Sequence, residues 1–114
     1  MNTKGNEFNT KYGKLPEATW ENYFETLVGK VFKILPMKEK EFETLPEYLS
    51  SLLLELHGNK SLIEIIKHDG DFLSLLSTLE YFVENDEDVK IYKREVFKCI
   101  SIVKKLQERY INSN

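Results

Sequence analysis

Apolar residues recur along the chain at the three- and four-residue spacing that places one stripe on the side of a helix. The first stripe covers residues 16–35, and Pro36 is predicted to end this helix because proline cannot continue a helix interior. Gly29 lies on the side of the helix away from the stripe, where glycine costs stability. We interpret Gly29 as a mark of close approach by a neighbouring helix.

The middle of the chain predicts two further helices, each opened by a capping-box pattern. Residues 44–47 open the first one, which carries a leucine-rich stripe and is predicted to stop at Gly58. Residues 61–64 open the second, a short helix that is closed by residues 68–70. Short turns are predicted to join both helices to their neighbours.

Two more helices complete the predicted fold. The fourth has Asp71 as its cap, carries its stripe on residues 72–83 and ends at Asn85. The last runs from the acidic residues 86–88 to about Tyr110. No segment shows the sustained two-residue alternation of a strand, so none is predicted. The pattern therefore predicts an all-α fold, a compact antiparallel bundle of four to five helices with a long C-terminal helix.

Length and composition suit one folded unit with a loose beginning. The chain has 114 residues and 41% hydrophobic residues, enough for one core, and residues 15–114 are predicted to form a single helical domain. Residues 1–14 are polar and aperiodic, so we expect a flexible N-terminal tail. No apolar leader or membrane span is apparent. We expect a cytoplasmic protein without membrane contact, and the residue usage is typical of AT-rich bacterial or phage genes.

Groups for catalysis or metal binding are few. His57 and His68 fall at predicted helix C-termini, where the helix dipole accounts for them, and Cys99, the one cysteine, lies on an apolar stripe as an inert thiol. The run of residues 85–88 offers oxygen ligands, but the chain has neither the central glycine nor the glutamate at the twelfth position that a calcium-binding loop needs. We therefore expect a protein that is not an enzyme, with no catalytic residue, no cofactor and no metal.

Charge is sorted along the chain, and this sorting points to partners rather than to the fold. Residues 44–88 contain ten acidic residues and two lysines, whereas residues 89–114 contain seven basic and two acidic residues. Residues 1–43 are balanced, and the whole chain carries a net charge of −3. Two surfaces of opposite sign follow, and the sequence leaves open whether they pair with each other in the fold.

The acidic surface is centred on Tyr81, which lies opposite the apolar stripe of its own helix. An aromatic ring among small and acidic residues is typical of an interface hot spot for a basic partner. The alternative is that this helix, like the one carrying the off-stripe Leu54, is central and packs on both sides. The predicted partner-binding residues are Ser74, Ser77, Glu80, Tyr81, Glu84, Asp86, Glu87 and Asp88.

The basic surface lies on the last helix, opposite its apolar stripe. Lysine and arginine neutralise phosphates, and the interleaved Phe97 could stack on a base, so this face predicts nucleic-acid binding as an alternative function. The other interpretation is a solvated face that the acidic part of the chain partly neutralises. The residues of the basic face are Lys90, Lys93, Arg94, Lys98, Lys104, Lys105 and Arg109.

With an acidic face and a tyrosine on a small helical bundle, the chain resembles in size, helical class and charge the immunity proteins that bacteria make against their own toxins. The resemblance implies that the run from Glu80 to Asp88, including Tyr81 and Phe82, binds the toxin. The resemblance implies a non-enzymatic binding module that uses an acidic helical face to hold and neutralise a basic toxin. Oligomeric state stays open, because the off-stripe residues Leu54, Leu73 and Phe97 suit a homodimer as well as a heteromeric contact.

Overall fold

The computed structural model describes residues 7–10 and 13–110 and confirms the all-α bundle, with a small hairpin in addition. Two short helices lie between the four longer ones, and the last helix is the longest, with 22 residues. In chain order the elements are β1 (Glu7–Thr10), β2 (Gly13–Pro16), α1 (Glu17–Phe32), α2 (Ile34–Glu39), α3 (Leu45–Leu62), α4 (Glu64–Lys67), α5 (Gly70–Glu84) and α6 (Val89–Tyr110).

The two strands pair antiparallel, in a register that runs from Glu7 opposite Pro16 to Thr10 opposite Gly13. The prediction of a chain without strands is therefore wrong. Each strand has only four residues, which is too short for a period of two to stand out in a sequence. Residues 7–10 and 13–14 of the predicted tail belong to the hairpin, and residues 1–6 and 11–12 lie outside the described residues.

The first apolar stripe is divided between two helices. α1 ends at Phe32, and α2 contains Pro36 in its first turn, so the prediction that Pro36 ends the helix is wrong. Proline is tolerated in a first turn because its missing N–H has no intrahelical partner there. Leu35, the last residue of the predicted stripe, is buried in α2 together with Ile34 and Met37, whereas Phe32 of the same stripe is 48% exposed.

α2 ends in a Schellman motif whose left-handed residue is a glutamate. The N–H of Glu41 donates to the carbonyl of Lys38 (3.1 Å), and the N–H of Phe42 donates to the carbonyl of Met37 (2.9 Å). Glu41 has φ 56°, a conformation that normally belongs to glycine and costs other residues roughly 1–2 kcal/mol. The chain reverses sharply at this point, and Phe42 is left half-exposed beside the start of α3.

α3 is longer than predicted. Gly58 lies inside it and does not end it, and Ser61, predicted to cap a separate helix, donates its hydroxyl to the carbonyl of Gly58 (3.0 Å). Thr44 precedes α3 without a side-chain capping bond, so both capping boxes are wrong. The short α4 follows after Ile63, which is buried. Packing of the leucine stripe carries the helix past these local stop signals.

The last two long helices begin with aspartate caps. One carboxylate oxygen of Asp69 accepts from the N–H groups of Asp71 (2.8 Å) and Phe72 (3.2 Å), so the cap of α5 is Asp69 and the predicted cap, Asp71, is wrong. Asp88 accepts from the N–H of Ile91 (3.1 Å) at the start of α6. The acidic start that the sequence predicts for α6 is thus confirmed.

α6 is the spine of the bundle, with α1, α2 and α5 packed on it and α3 packed on α5. α3 and α1 are joined by polar contacts, among them Lys30 with Glu55 (2.7 Å) and the Tyr48 hydroxyl with the carbonyl of Lys30 (2.6 Å). A Cβ added to Gly29 would meet nothing within 4 Å, so the predicted close helix approach is wrong. The buried core includes Trp20, Phe24, Leu49, Leu56, Phe72, Leu79, Tyr92, Cys99 and Leu106.

Candidate protein-binding surface

Tyr81 is a surface residue of α5. Its side chain is 46% exposed, although its ring makes an edge contact with Phe82 at 6.0 Å between ring centroids. Its hydroxyl donates a hydrogen bond to Glu87, and this bond is the main reason that the pKa of Tyr81 is raised. α5 packs on both α3 and α6, but the rest of the described chain does not cover the face that carries Tyr81. The ring is held in place by Glu87, an acid of the turn that follows α5.

A shallow cleft of about 340 Å³ lies beside the Tyr81 ring, between α5 and α6. Arg94 of the basic face lines this cleft and binds its neighbour Glu95 at 3.0 Å. The acidic and basic surfaces therefore meet at this cleft. Its lining comprises Ser77, Thr78, Tyr81, Glu87, Ile91, Arg94 and Glu95.

Glu84 and Asp86 lie in a second and larger groove, of about 610 Å³. The loop after α2 and the start of α3 form its other walls, and Asp86 binds Lys38 there at 3.0 Å. The lining residues are Lys38, Glu41, Phe42, Glu43, Leu45, Pro46, Leu49, Phe82, Val83, Glu84, Asn85, Asp86 and Tyr92. We call it the Phe42 groove.

Sequence reasoning missed the loop residues of the Phe42 groove. Glu41, Phe42 and Glu43 follow the first stripe as a charged connector and carry no periodic signal. They reach α5 only because α2 and its left-handed turn direct the loop there. Tyr92 also lines the groove, and its pKa is raised by burial first and then by the charges of Asp86 and Glu87.

The remaining predicted partner-binding residues lie elsewhere. Glu80 faces His57 of α3 at 3.5 Å, and Asp88 is engaged as the cap of α6. Ser74 lines a third groove, of about 640 Å³, together with Lys98 and Lys105 of α6. The structure thus brings Tyr81 together with Glu87, and Glu84 together with Asp86, but divides the predicted set among several surfaces.

Part of the basic face is neutralised within the fold. Arg109 binds Asp69 and Asp71, each at 2.6 Å, and so joins the last turn of α6 to the first turn of α5. Arg94 and Lys98 share Glu95, at 3.0 Å and 3.9 Å. The other lysines of the face are exposed, without an ion pair among the described residues: Lys90, Lys93, Lys104 and Lys105.

The off-stripe apolar residues lie at the surface. Leu54 is 74% exposed, Phe97 47% and Leu73 38%. α3 therefore does not pack on both sides, because the rest of the described chain leaves Leu54 open. These side chains are available to a partner or to a second copy of the chain.

The groups considered for chemistry are spread over the fold. Cys99 is buried, and burial, with the charge of Glu95, raises the pKa of its thiol to about 12, as expected for an inert core cysteine. His57 lies inside α3 rather than at its end, whereas His68 directly follows α4 as its cap residue. Across residues 7–10 and 13–110, no three histidine, cysteine or acidic side chains are grouped so as to hold a metal ion.

Within the part of the chain that the structure describes, no helix has the length and apolarity needed to cross a membrane. No protein-family model, curated protein or solved structure matches the chain.

Proposed function

We propose that the chain is a non-enzymatic binding protein that holds a basic protein partner on its acidic end. The acidic end comprises Tyr81, Glu84, Asp86 and Glu87, at the C-terminus of α5 and in the turn that follows. The observation that carries the proposal is the half-exposed Tyr81 ring, bound through its hydroxyl to Glu87. A positioned aromatic ring among acids offers a partner both contact area and charge.

The charge of this end suits a basic partner. Lys38 is the lysine beside Asp86, and its side chain is only 18% exposed, whereas the side chain of Asp86 is 92% exposed. Glu84 is exposed and has no ion pair within the described residues. Such an excess of negative charge accelerates association with a positively charged protein at low ionic strength.

Toxin neutralisation is the most concrete form of this proposal. A basic nuclease toxin carries a positive surface for its phosphate substrate, and an acidic protein that covers this surface excludes the substrate. The resemblance in size, helical class and charge to bacterial immunity proteins supports this form.

The experiment is affinity capture from cells of the source organism, with mass-spectrometric identification of the bound proteins. We expect a basic protein, and we expect Tyr81→Ala combined with Glu84→Lys to weaken its binding by more than about 2 kcal/mol, roughly thirtyfold in Kd. The matched control is Phe32→Ala with Glu25→Lys on α1, because Phe32 is 48% exposed. Equal loss in both double variants, or no captured basic protein, contradicts the proposal.

Nucleic-acid binding through α6 is the second candidate. Phe97 is 47% exposed on the same helix as Arg94 and Lys98, whose side chains are 69% and 67% exposed. A gel-shift titration over salt concentration decides between the two, since phosphate affinity is strongest at low salt. Binding that Lys93→Glu abolishes would favour the nucleic-acid function, and absence of binding at low salt removes it.

A further inference from the structure

The Phe42 groove has an apolar floor between polar rims. Leu45, Leu49 and Phe82 are buried beneath it, and Phe82 stacks on Tyr92 with 4.2 Å between ring centroids. On its walls Phe42 is 48% exposed and Val83 37%. The volume of about 610 Å³ lies within the range of pockets that take a ligand side chain or small molecule.

The rim of the groove is acidic. Four carboxylates line it, those of Glu41, Glu43, Glu84 and Asp86, against the single amine of Lys38. Lys38 is already engaged, since its ammonium lies 3.0 Å from Asp86 and 4.8 Å from the centroid of the Tyr92 ring. Within the described residues no ion pair neutralises the other three acids.

We propose that the Phe42 groove receives an apolar side chain from a basic segment of the partner protein. The apolar side chain covers Phe42 and Val83, while flanking lysines or arginines of the segment pair with Glu41, Glu43 and Glu84. Charge complementarity selects this occupant, because an acidic or neutral segment would leave the three unpaired carboxylates less well solvated and without partners. The inference rests on the proposed function and names the chemistry that the acidic end recognises.

The test uses two pentapeptides, one with a phenylalanine flanked on each side by two lysines and one with alanine in place of the phenylalanine. Each is titrated into the full ¹⁵N-labelled chain at low salt and followed by amide chemical shifts. We expect shifts at Phe42, Leu45 and Val83, and about tenfold tighter binding of the phenylalanine peptide. Glu84→Lys should weaken the binding of both peptides.

Two variants and a control locate the apolar contact. Phe42→Ser and, independently, Val83→Ser should remove the preference for the phenylalanine peptide, whereas Phe32→Ser should keep it, because Phe32 is as exposed as Phe42 but lies outside the groove. Thermal unfolding by circular dichroism verifies that each variant is folded. Equal affinity of the two peptides, shifts confined to other surfaces, or equal effects of the Phe32 and Phe42 variants overturn the proposal.

The outcome for the groove is separable from that for the proposed function. A captured partner that depends on Tyr81 but ignores Phe42→Ser would overturn the groove proposal and leave the proposed function standing. Groove binding of the peptide without any captured basic protein would overturn the proposed function, and with it the partner segment as the occupant of the groove. Self-association that both Phe42→Ser and Phe97→Ser abolish would make a second copy of the chain the occupant, and would also overturn the proposal.

Discussion

Arg109 places its guanidinium 2.6 Å from the carboxylate of Asp69, and thereby joins the last turn of α6 to the cap of α5. The side chain of Asp69 is only 5% exposed, and its two oxygens have different partners. One accepts the N–H groups at the start of α5, and the other accepts Arg109 and the Tyr110 hydroxyl. Capping of one helix and docking of another therefore depend on the same carboxylate.

Replacement of Arg109 should destabilise the fold. Arg109→Ala removes two charge-assisted hydrogen bonds and leaves the largely buried Asp69 without its cation, so we expect a loss of about 1–2 kcal/mol in the free energy of unfolding. Urea denaturation measures this loss. Arg94→Ala is the matched control, because Arg94 is 69% exposed and forms its ion pair with Glu95, its neighbour in sequence. A loss of equal size in both variants would contradict the role assigned to Arg109.

Acid should weaken the bundle partly through Asp69. Burial acts to raise the pKa of Asp69, but the hydrogen bonds from Tyr110, Phe72, Arg109 and Asp71 outweigh burial and hold it below its ordinary value of 3.8. A depressed pKa in the folded state gives stability that is complete above the unfolded pKa and is lost as the pH falls through the folded pKa.

Asp69→Asn isolates this charge, because asparagine is also a good N-cap. The wild-type chain should exceed the variant in free energy of unfolding by a constant amount above about pH 5, and this advantage should shrink below about pH 4. Urea titrations between pH 3 and 7 give the comparison. An advantage that does not change with pH would show that the Asp69 charge is not the cause.

Two helical glycines offer stabilising substitutions. An added Cβ would meet nothing within 4 Å at Gly29 in α1 or at Gly58 in α3, and alanine is favoured over glycine by roughly 1 kcal/mol in a helix interior. Gly29→Ala and Gly58→Ala should each raise the melting temperature, and their effects should add because the residues lie on different helices. A decrease in either variant would show a contact that the geometry does not contain.

Glu41 should lower the stability of the fold because of its positive φ, although it belongs to the acidic rim of the Phe42 groove. Glu41→Gly relieves the positive φ and should stabilise the fold by about 1 kcal/mol. Glu43→Gly is the control: it removes the same charge two residues later, outside the left-handed position, and should destabilise or leave the fold unchanged. Both variants should weaken binding of the lysine-rich peptides to the Phe42 groove. Equal stability changes in the two would contradict the assigned strain.

The sequence predicts the helical stripes well and their ends poorly. The stripe residues Phe24, Leu49, Leu79 and Val103 are all buried, because periodic burial depends only on the helix repeat. Helix ends depend on competition between local signals and packing: α3 passes through Gly58 because the leucine stripe around it is buried. Local rules of capping cannot weigh this tertiary contribution.

The sequence likewise predicts one part of the candidate site and misses another. The sequence places Tyr81 opposite the stripe but leaves open whether the fold covers that face, and only the structure shows that the ring is 46% exposed. The Phe42 groove is different, because its two walls, Phe42 and Val83, are distant in sequence and meet only through the turn at Glu41. A single left-handed residue decides where the loop points, and a glutamate gives no sign of it in the sequence.

The two ends of α5 are held by different contacts. The Asp69 carboxylate joins the N-terminal end of α5 to the last turn of α6. The C-terminal end of α5 borders the Phe42 groove and its acidic rim. Fifteen residues, roughly 22 Å of helix, separate these ends. A partner that binds at the C-terminal end of α5 therefore contacts a helix whose N-terminal end is fixed to α6. α5 also packs on both α3 and α6, so binding of a partner beside Phe42 should leave the helix axes aligned.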